Sequence, residues 1–189
     1  MDERKFLDFL SKIEKCKCYT RHNFTTAGRA ESVAEHSWRL SAMAYLLAGD
    51  LDGVDTDKVI KMCLIHDFGE AVTGDIPSFQ KSDKDIAHED DVVQKLAATL
   101  PTEKKDEIAG LFDEMAEKKT IEAKVWRALD MMEAVISHNE ADIATWIPIE
   151  YELQQTYGIE EAKCHPVLEK LRAQVLADTL RKIETEGKK

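Results

Sequence analysis

The chain has 189 residues, 43% of them hydrophobic, and a formal net charge of −11 at pH 7. This length and apolar content fit a single globular domain over 1–189 with a sizeable core. Such an acidic chain argues against non-specific binding to nucleic acid or to an anionic membrane, and no apolar run approaches the roughly 20 residues of a membrane-spanning helix.

Glycine and proline are scarce, with 8 and 4 residues, and no long stretch alternates apolar and polar side chains. These features predict an all-α protein. The N-terminal segment is charged and contains no secretory h-region, so we expect a cytoplasmic protein whose four cysteines are reduced.

The first helix is predicted over 3–14, where apolar side chains fall on one face. The polar segment 16–30 is predicted to be irregular and to lie at a surface or a site. Ser32 and Glu35 form a capping box, which predicts that a second helix runs from about 33 to 48.

The third helix is predicted to begin near 55–56 and to end near 68–69. It is apolar on nearly all sides, so it is predicted to be the buried central helix. A loop over 72–82 follows. The remaining helices are predicted at about 86–99, 102–117, 120–139 and 148–157, and from Pro166 onwards, with a fraying tail at 187–189. Trp38 and Trp126 are predicted to pack in the core.

The most apolar run, 59–65, leads into the adjacent pair His66 and Asp67. Burying an imidazole beside a carboxylate costs free energy unless both groups are satisfied, and a divalent cation would satisfy both. The pair needs further ligands, and the candidates are His36, in the second helix, and Asp130, at the edge of the apolar stripe of the sixth. Two imidazoles and two carboxylates would leave coordination positions open for water and substrate.

These four residues match the H…HD…D signature of the HD-domain metal-dependent phosphohydrolases. The runs ESVAEHS at 31–37 and HDFGEAVTGDIP at 66–77 resemble in particular the bacterial 5′-deoxynucleotidases of that superfamily and related small HD-domain hydrolases. The resemblance covers about 21–139. It implies a compact helical HD domain of roughly seven to eight helices, with a metal-site core at about 21–140 and the C-terminal helices, 148–185, packed on it.

The resemblance implies that His36, His66, Asp67 and Asp130 are the ligands of one divalent metal ion. The identity of the metal, whether Mn, Co, Mg, Zn or Fe, is left open because selectivity depends on geometry and supply.

The resemblance further implies that Glu70 is the catalytic carboxylate, that Asp75 is a second carboxylate at the substrate, and that Arg21 binds phosphate. Carboxylates can relay protons, and a guanidinium binds phosphate bidentately. The deoxynucleotidases place a tryptophan after that arginine, which helps to exclude the ribose 2′-hydroxyl. Here the position is His22, so the sugar preference stays open.

The expected function is metal-dependent release of phosphate from nucleoside 5′-monophosphates, in particular deoxyribonucleotides. The expected partner is this small nucleotide, with no nucleic acid or membrane partner, and the apolar C-terminal helix together with the resemblance predicts a homodimer. One alternative is hydrolysis of another phosphate ester: a nucleoside triphosphate, a cyclic nucleotide or a guanosine alarmone. A second alternative is a non-catalytic helical scaffold that a metal stabilises.

Overall fold

The computed structural model describes residues 2–187, without the side chains of Asp83, Ile86, Asp90 and Glu103. Its α-helices are α1 (Glu3–Ile13), α2 (Val33–Leu47), α3 (Thr56–Ile65), α4 (Glu70–Thr73), α5 (Asp83–Ala97), α6 (Thr102–Glu117), α7 (Ile121–Glu140), α8 (Glu150–Thr156), α9 (Ile159–Ala162) and α10 (Pro166–Glu186). Short 3-10 turns cover Glu14–Lys17 and Ile143–Thr145. The all-α prediction is confirmed. Of the tail predicted to fray, 187–189, Lys188 and Lys189 lie outside the described residues.

A small β-hairpin occupies most of the segment that was predicted to be irregular. Strand β1 (Thr20–Phe24) pairs antiparallel with β2 (Ala30–Ser32). Between the strands, Gly28 has a φ of +79°, a conformation that glycine adopts without steric cost. The prediction was wrong because the strand TRHNF lacks the alternation of apolar and polar residues that identifies strands from sequence. The hairpin places β1 against α7.

The predicted capping box at the start of α2 is confirmed. The Ser32 hydroxyl accepts a hydrogen bond from the Glu35 amide at 3.3 Å, and the Glu35 carboxylate accepts one from the Ser32 amide at 2.9 Å. This cap starts α2 directly after β2. His36 therefore lies in the first turn of α2, where it is completely buried.

The buried centre of the fold is α7, and the prediction that α3 is the central helix was wrong. Ten of the twenty residues of α7 are buried, and it contacts α2, α3, α6, α9 and α10. In α3, by contrast, Leu64 is 53% exposed. Trp38 of α2, a predicted core residue, is 70% exposed, whereas Trp126 of α7 is buried. Apolar composition identifies residues that can be buried, but the packing of the other helices decides which of them are.

Helix α3 ends at Ile65, and His66 occupies its C-cap position. A tight turn then leads into α4, so Glu70 belongs to a separate short helix. The loop 74–82 follows, and its first residue, Gly74, has a φ of +73°. Among the described residues, no helix combines the length and apolar character needed to cross a bilayer.

Candidate active site

The four residues predicted as metal ligands meet where α2, the end of α3 and α7 come together. Nε2 of His36 lies 3.1 Å from Oδ1 of Asp130 and 3.9 Å from Oδ2 of Asp67. Nε2 of His66 lies 3.1 Å from the same Asp67 oxygen and 3.7 Å from the same Asp130 oxygen. His36, His66 and Asp67 thus offer ligand atoms that all lie within 4.8 Å of one another, and Oδ1 of Asp130 lies within 3.7 Å of both imidazole nitrogens.

Unpartnered atoms in this group fit a divalent cation. Within the described part of the chain, Nε2 of His66 and Oδ2 of Asp67 are buried and, although they lie 3.1 Å apart, neither makes a hydrogen bond. Buried polar atoms are normally paired, so such a pair of atoms indicates a ligand. Imidazole nitrogen and carboxylate oxygen are donors that transition-metal divalent cations accept.

The orientation of His66 suits this role. Its Nδ1 lies 2.9 Å from the carbonyl oxygen of Cys63, to which it can only donate a hydrogen bond. In neutral His66 the proton therefore resides on Nδ1, and Nε2 presents a lone pair to the ligand group.

The surrounding charges keep both carboxylates of the group ionised. Burial alone raises the pKa of a carboxyl, but His66 and His36 outweigh burial and lower the pKa of Asp67 to about 2. The pKa of Asp130 is held far below its usual range in spite of burial, because His36 donates to it and both the imidazole of His66 and the guanidinium of Arg127 lie close to it. Ionised carboxylates are the form that binds a metal ion.

Arg21 reaches the group from strand β1. Its Nη1 lies 3.5 Å from Oδ2 of Asp67 and 4.0 Å from Oδ1 of Asp75, and its Nε lies 3.8 Å from Oε2 of Glu31. Although burial opposes the charged form, the negative charges of Asp67, Glu133, Asp75 and Asp130 raise the pKa of Arg21 above its usual value. Its buried Nε has no hydrogen-bond partner among the described residues. Arg21 is thus a permanent cation that can contact an anionic substrate.

Glu70, at the start of α4, is only 5% exposed. Burial, followed by the negative charges of Asp67 and Asp75, raises the pKa of Glu70 to about 9. Nζ of Lys81 lies 4.0 Å from Oε1 of Glu70 and 2.6 Å from Oε2 of Glu89. Burial also raises the pKa of Asp75. Two carboxyl groups that can carry protons therefore lie beside the ligand group.

A single cleft of about 470 Å³ connects these groups. It is lined by seven of the eight predicted site residues, namely Arg21, His22, His66, Asp67, Glu70, Asp75 and Asp130. His36 lies behind the wall. In another part of the wall, Nε2 of His22 lies 3.3 Å from Oε1 of Glu150, and its ring packs edge-on against Phe79 at a centroid distance of 6.1 Å.

Sequence reasoning missed several charged residues around the cleft. Lys81 and Glu89 flank Glu70, and Nε2 of His138 lies 3.0 Å from Oε1 of Glu150 in the wall. Behind His36 lies Glu133, fully buried and one turn beyond Asp130 in α7. A charged residue among the buried positions of an amphipathic helix is a detectable signal. The signal for Lys81 is absent from the sequence, because its position depends on the path of the 74–82 loop.

Comparison with known proteins adds the following similarities. Residues 13–172 match the HD domain family. The 5′-deoxynucleotidase HDDC2 of Danio rerio is 30% identical over 84% of this chain and 80% of that protein, and the one of Dictyostelium discoideum is 28% identical over 92% and 97%. A crystal structure of a predicted metal-dependent phosphohydrolase from Magnetospirillum magnetotacticum is 26% identical, with a TM-score of 0.81 over 95% of each chain. The family match includes every element that lines the cleft.

Proposed function

Because the chain belongs to the HD-domain family, which it matches over 13–172, we propose that it is a metal-dependent hydrolase that releases phosphate from nucleoside 5′-monophosphates, with deoxyribonucleotides as the expected substrates. The relatives named 5′-deoxynucleotidase support this substrate class. The observation that carries the proposal is the group of two histidines and two aspartates at a cleft that is also lined by Arg21, whose side chain is only 17% exposed.

We propose that His36, His66, Asp67 and Asp130 hold one divalent metal ion. The unpartnered buried atoms and the ionised carboxylates of the group support this assignment. When bound, such an ion would polarise the phosphoryl group and lower the pKa of water.

The chain's own groups would bind the substrate and move its protons. Arg21 neutralises negative charge on the phosphoryl oxygens, and this stabilisation grows as the transition state forms. Glu70 and Asp75 lie next to that position, where one accepts the proton of the attacking water and the other supplies a proton to the departing 5′-oxygen. Lys81 contacts the carboxyl groups of both Glu70 and Glu89 and thereby helps to fix the position of Glu70 in the cleft.

His22 would lie beside the sugar, since it directly follows Arg21 on β1 and lines the same cleft. An imidazole can donate to or accept from a hydroxyl, so the cleft wall at this position is not purely apolar. We therefore expect His22 to tolerate a ribose 2′-hydroxyl better than a larger apolar side chain would.

We further propose a cytoplasmic homodimer in which 1–189 forms one domain. The packing of α10 on α7, α8 and α9 supports the single domain. The same packing buries the apolar face of α10 inside the chain, so this face is not available for a dimer contact. The exposed face of α2, where Trp38 and Tyr45 are each 70% exposed two turns apart, is the better candidate for the dimer surface. Light scattering on Trp38→Glu and on the unchanged protein would test this assembly.

Phosphate release from a panel of nucleotides tests the function directly. Metal-stripped protein is supplied with Mn²⁺, Co²⁺, Mg²⁺ or Zn²⁺ and is given ribo- and deoxynucleoside 5′-monophosphates, triphosphates and cyclic nucleotides. We expect metal-dependent release from the monophosphates. Release from triphosphates or cyclic nucleotides alone would assign another phosphate ester, and no release from any substrate by a metal-loaded protein would favour the scaffold alternative.

Glu70→Gln provides the matched variant for this assay, with Glu184→Gln on the exposed surface of α10 as its control. Loss of turnover in Glu70→Gln alone, at unchanged metal content, would support catalysis in this cleft. Equal turnover in both variants would remove Glu70 from the mechanism.

A further inference from the structure

Behind the candidate metal group lies a carboxylate to which no function has been assigned so far. Glu133 belongs to α7 and is completely buried. Its Oε2 accepts a hydrogen bond from Nδ1 of His36, and its Oε1 accepts one from Nε of Arg39 at 2.6 Å. Both carboxylate oxygens thus accept from a nitrogen donor, and neither contacts solvent.

This contact determines which nitrogen of His36 can bind a metal. A carboxylate oxygen can only accept, so Nδ1 of His36 must carry a proton. The opposite nitrogen, Nε2, lies 3.1 Å from Oδ1 of Asp130 inside the ligand group. Fixing the proton on Nδ1 therefore leaves Nε2 as the metal-binding atom and prevents the ring from rotating away.

The position of Glu133 is itself supported by Arg39. Arg39 contacts Glu133 through Nε and Glu140 through Nη1, so it connects two carboxylates of α7 to α2. Glu31, His36 and Glu133 also lie close enough to hold an ion between them. Because both oxygens of Glu133 already accept hydrogen bonds from cationic or protonated donors, we assign Glu133 to hydrogen bonding and not to metal ligation.

We propose that Glu133 is a positioning residue that fixes the tautomer and orientation of His36 and thereby strengthens metal binding, without contacting metal or substrate. The inference rests on the proposed metal site. Carboxylates that hold a ligand histidine typically strengthen metal binding by about 10- to 100-fold. A glutamine at 133 has one acceptor and one donor arm, so it cannot accept from both His36 and Arg39.

Metal binding without substrate tests this inference. Calorimetric titration with Mn²⁺ is carried out on the unchanged protein, His36→Ala, Glu133→Gln and Glu140→Gln, with circular dichroism to verify the fold. Glu140→Gln is the matched control, because it removes the other carboxylate partner of Arg39 and leaves His36 untouched. We expect Glu133→Gln to bind Mn²⁺ about 10- to 100-fold more weakly and Glu140→Gln to stay within about twofold of the unchanged protein.

The outcomes separate the two proposals. If the unchanged protein fails to bind Mn²⁺, or binds it equally well after His36→Ala, the proposed metal site is wrong. If His36→Ala abolishes binding while Glu133→Gln stays within twofold, the site stands and the role of Glu133 is refuted. An equal loss in Glu133→Gln and Glu140→Gln also refutes it, because the loss then comes from freeing Arg39.

Two further measurements keep the test decisive. If Glu133→Gln does not fold, Glu133→Asp replaces it, because the shorter side chain keeps the charge but withdraws it from His36. The same limits on the change in Mn²⁺ affinity then apply to Glu133→Asp. Long-range ¹H–¹⁵N spectra of the Zn²⁺-loaded protein report the ring tautomers, and we expect His36 protonated on Nδ1 and metal-bound through Nε2. The opposite assignment would overturn the inference.

Discussion

Replacing Glu70 by glutamine should stabilise the metal-free protein while it abolishes turnover. Glu70 is 5% exposed, and its pKa is raised from an ordinary 4.5 to about 9 by burial and by the neighbouring Asp67 and Asp75. Between these two pH values the folded protein keeps a proton that the unfolded chain has released. The free energy of unfolding therefore falls as the pH rises from 4.5 to 9.

The size of this loss of stability follows from the pKa shift of Glu70. Each pKa unit corresponds to about 1.4 kcal/mol, so at pH 7, which is 2.5 units above the ordinary value, Glu70 should cost the fold on the order of 3 kcal/mol. A glutamine keeps the shape and does not ionise. Glu70→Gln should thus match the unchanged protein near pH 4.5 and become progressively more stable above it.

Urea unfolding in the presence of a chelator, at intervals from pH 5 to pH 9, measures this difference. The exposed Glu184→Gln should follow the pH profile of the unchanged protein. If Glu70→Gln and the unchanged protein lose stability in parallel across this range, the carboxyl group at 70 is not held protonated and the electrostatic argument is refuted. Saturating metal should reduce the difference in stability between Glu70→Gln and the unchanged protein, because a nearby cation stabilises the Glu70 carboxylate.

Further predictions concern the proposed ligands and substrate contacts. Asp130→Asn should lower the metal content of dialysed protein, as measured by elemental analysis, because one ligand loses its charge; full occupancy would contradict its assignment. Arg21→Met should lower kcat/KM for a nucleoside monophosphate by about 10- to 100-fold, since a charge-assisted hydrogen bond contributes about 1.5–3 kcal/mol; an unchanged value would exclude phosphate binding by Arg21. Although burial lowers the pKa of His36, Glu133 and Asp130 raise it to about 10. A metal ion must therefore displace a proton from His36, and its binding affinity should rise by up to about tenfold per pH unit between pH 6 and pH 9. A calorimetric affinity that does not change with pH would refute this. His22→Ala should change the ratio of ribo- to deoxynucleotide turnover by about three- to tenfold, the size of one hydrogen bond, and an unchanged ratio would place the sugar elsewhere.

Local sequence features specified much of the helical framework. Ser32 and Glu35 start α2 by hydrogen bonds within one turn, and Pro166 opens α10 at the predicted residue. The scarcity of glycine, proline and alternating segments correctly indicated an all-α fold. These features depend on interactions between residues a few positions apart, so they can be read without knowledge of the tertiary structure.

The sequence also identified candidate ligands, because an imidazole and a carboxylate at the end of an apolar run require partners. It could not say that each imidazole would lie within 3.9 Å of both carboxylates, since His36 and Asp130 are 94 positions apart and only the packing of α2 against α7 brings them together. The role inferred for Glu133 and the raised pKa of Glu70 arise in the same way, from burial beside groups distant in sequence.

The sequence by itself determined the longer helices, several of their caps and the chemical types available for the site, because each of these depends on neighbours within a turn or two. It missed the short helices α4 and α9. The tertiary structure alone decided that α7 and not α3 is central, that the polar 16–30 segment folds into a hairpin, and that Lys81 and Glu150 line the cleft. The physical reason is that burial, dielectric environment and the pairing of charges are properties of the packed chain, set by contacts between segments far apart in sequence.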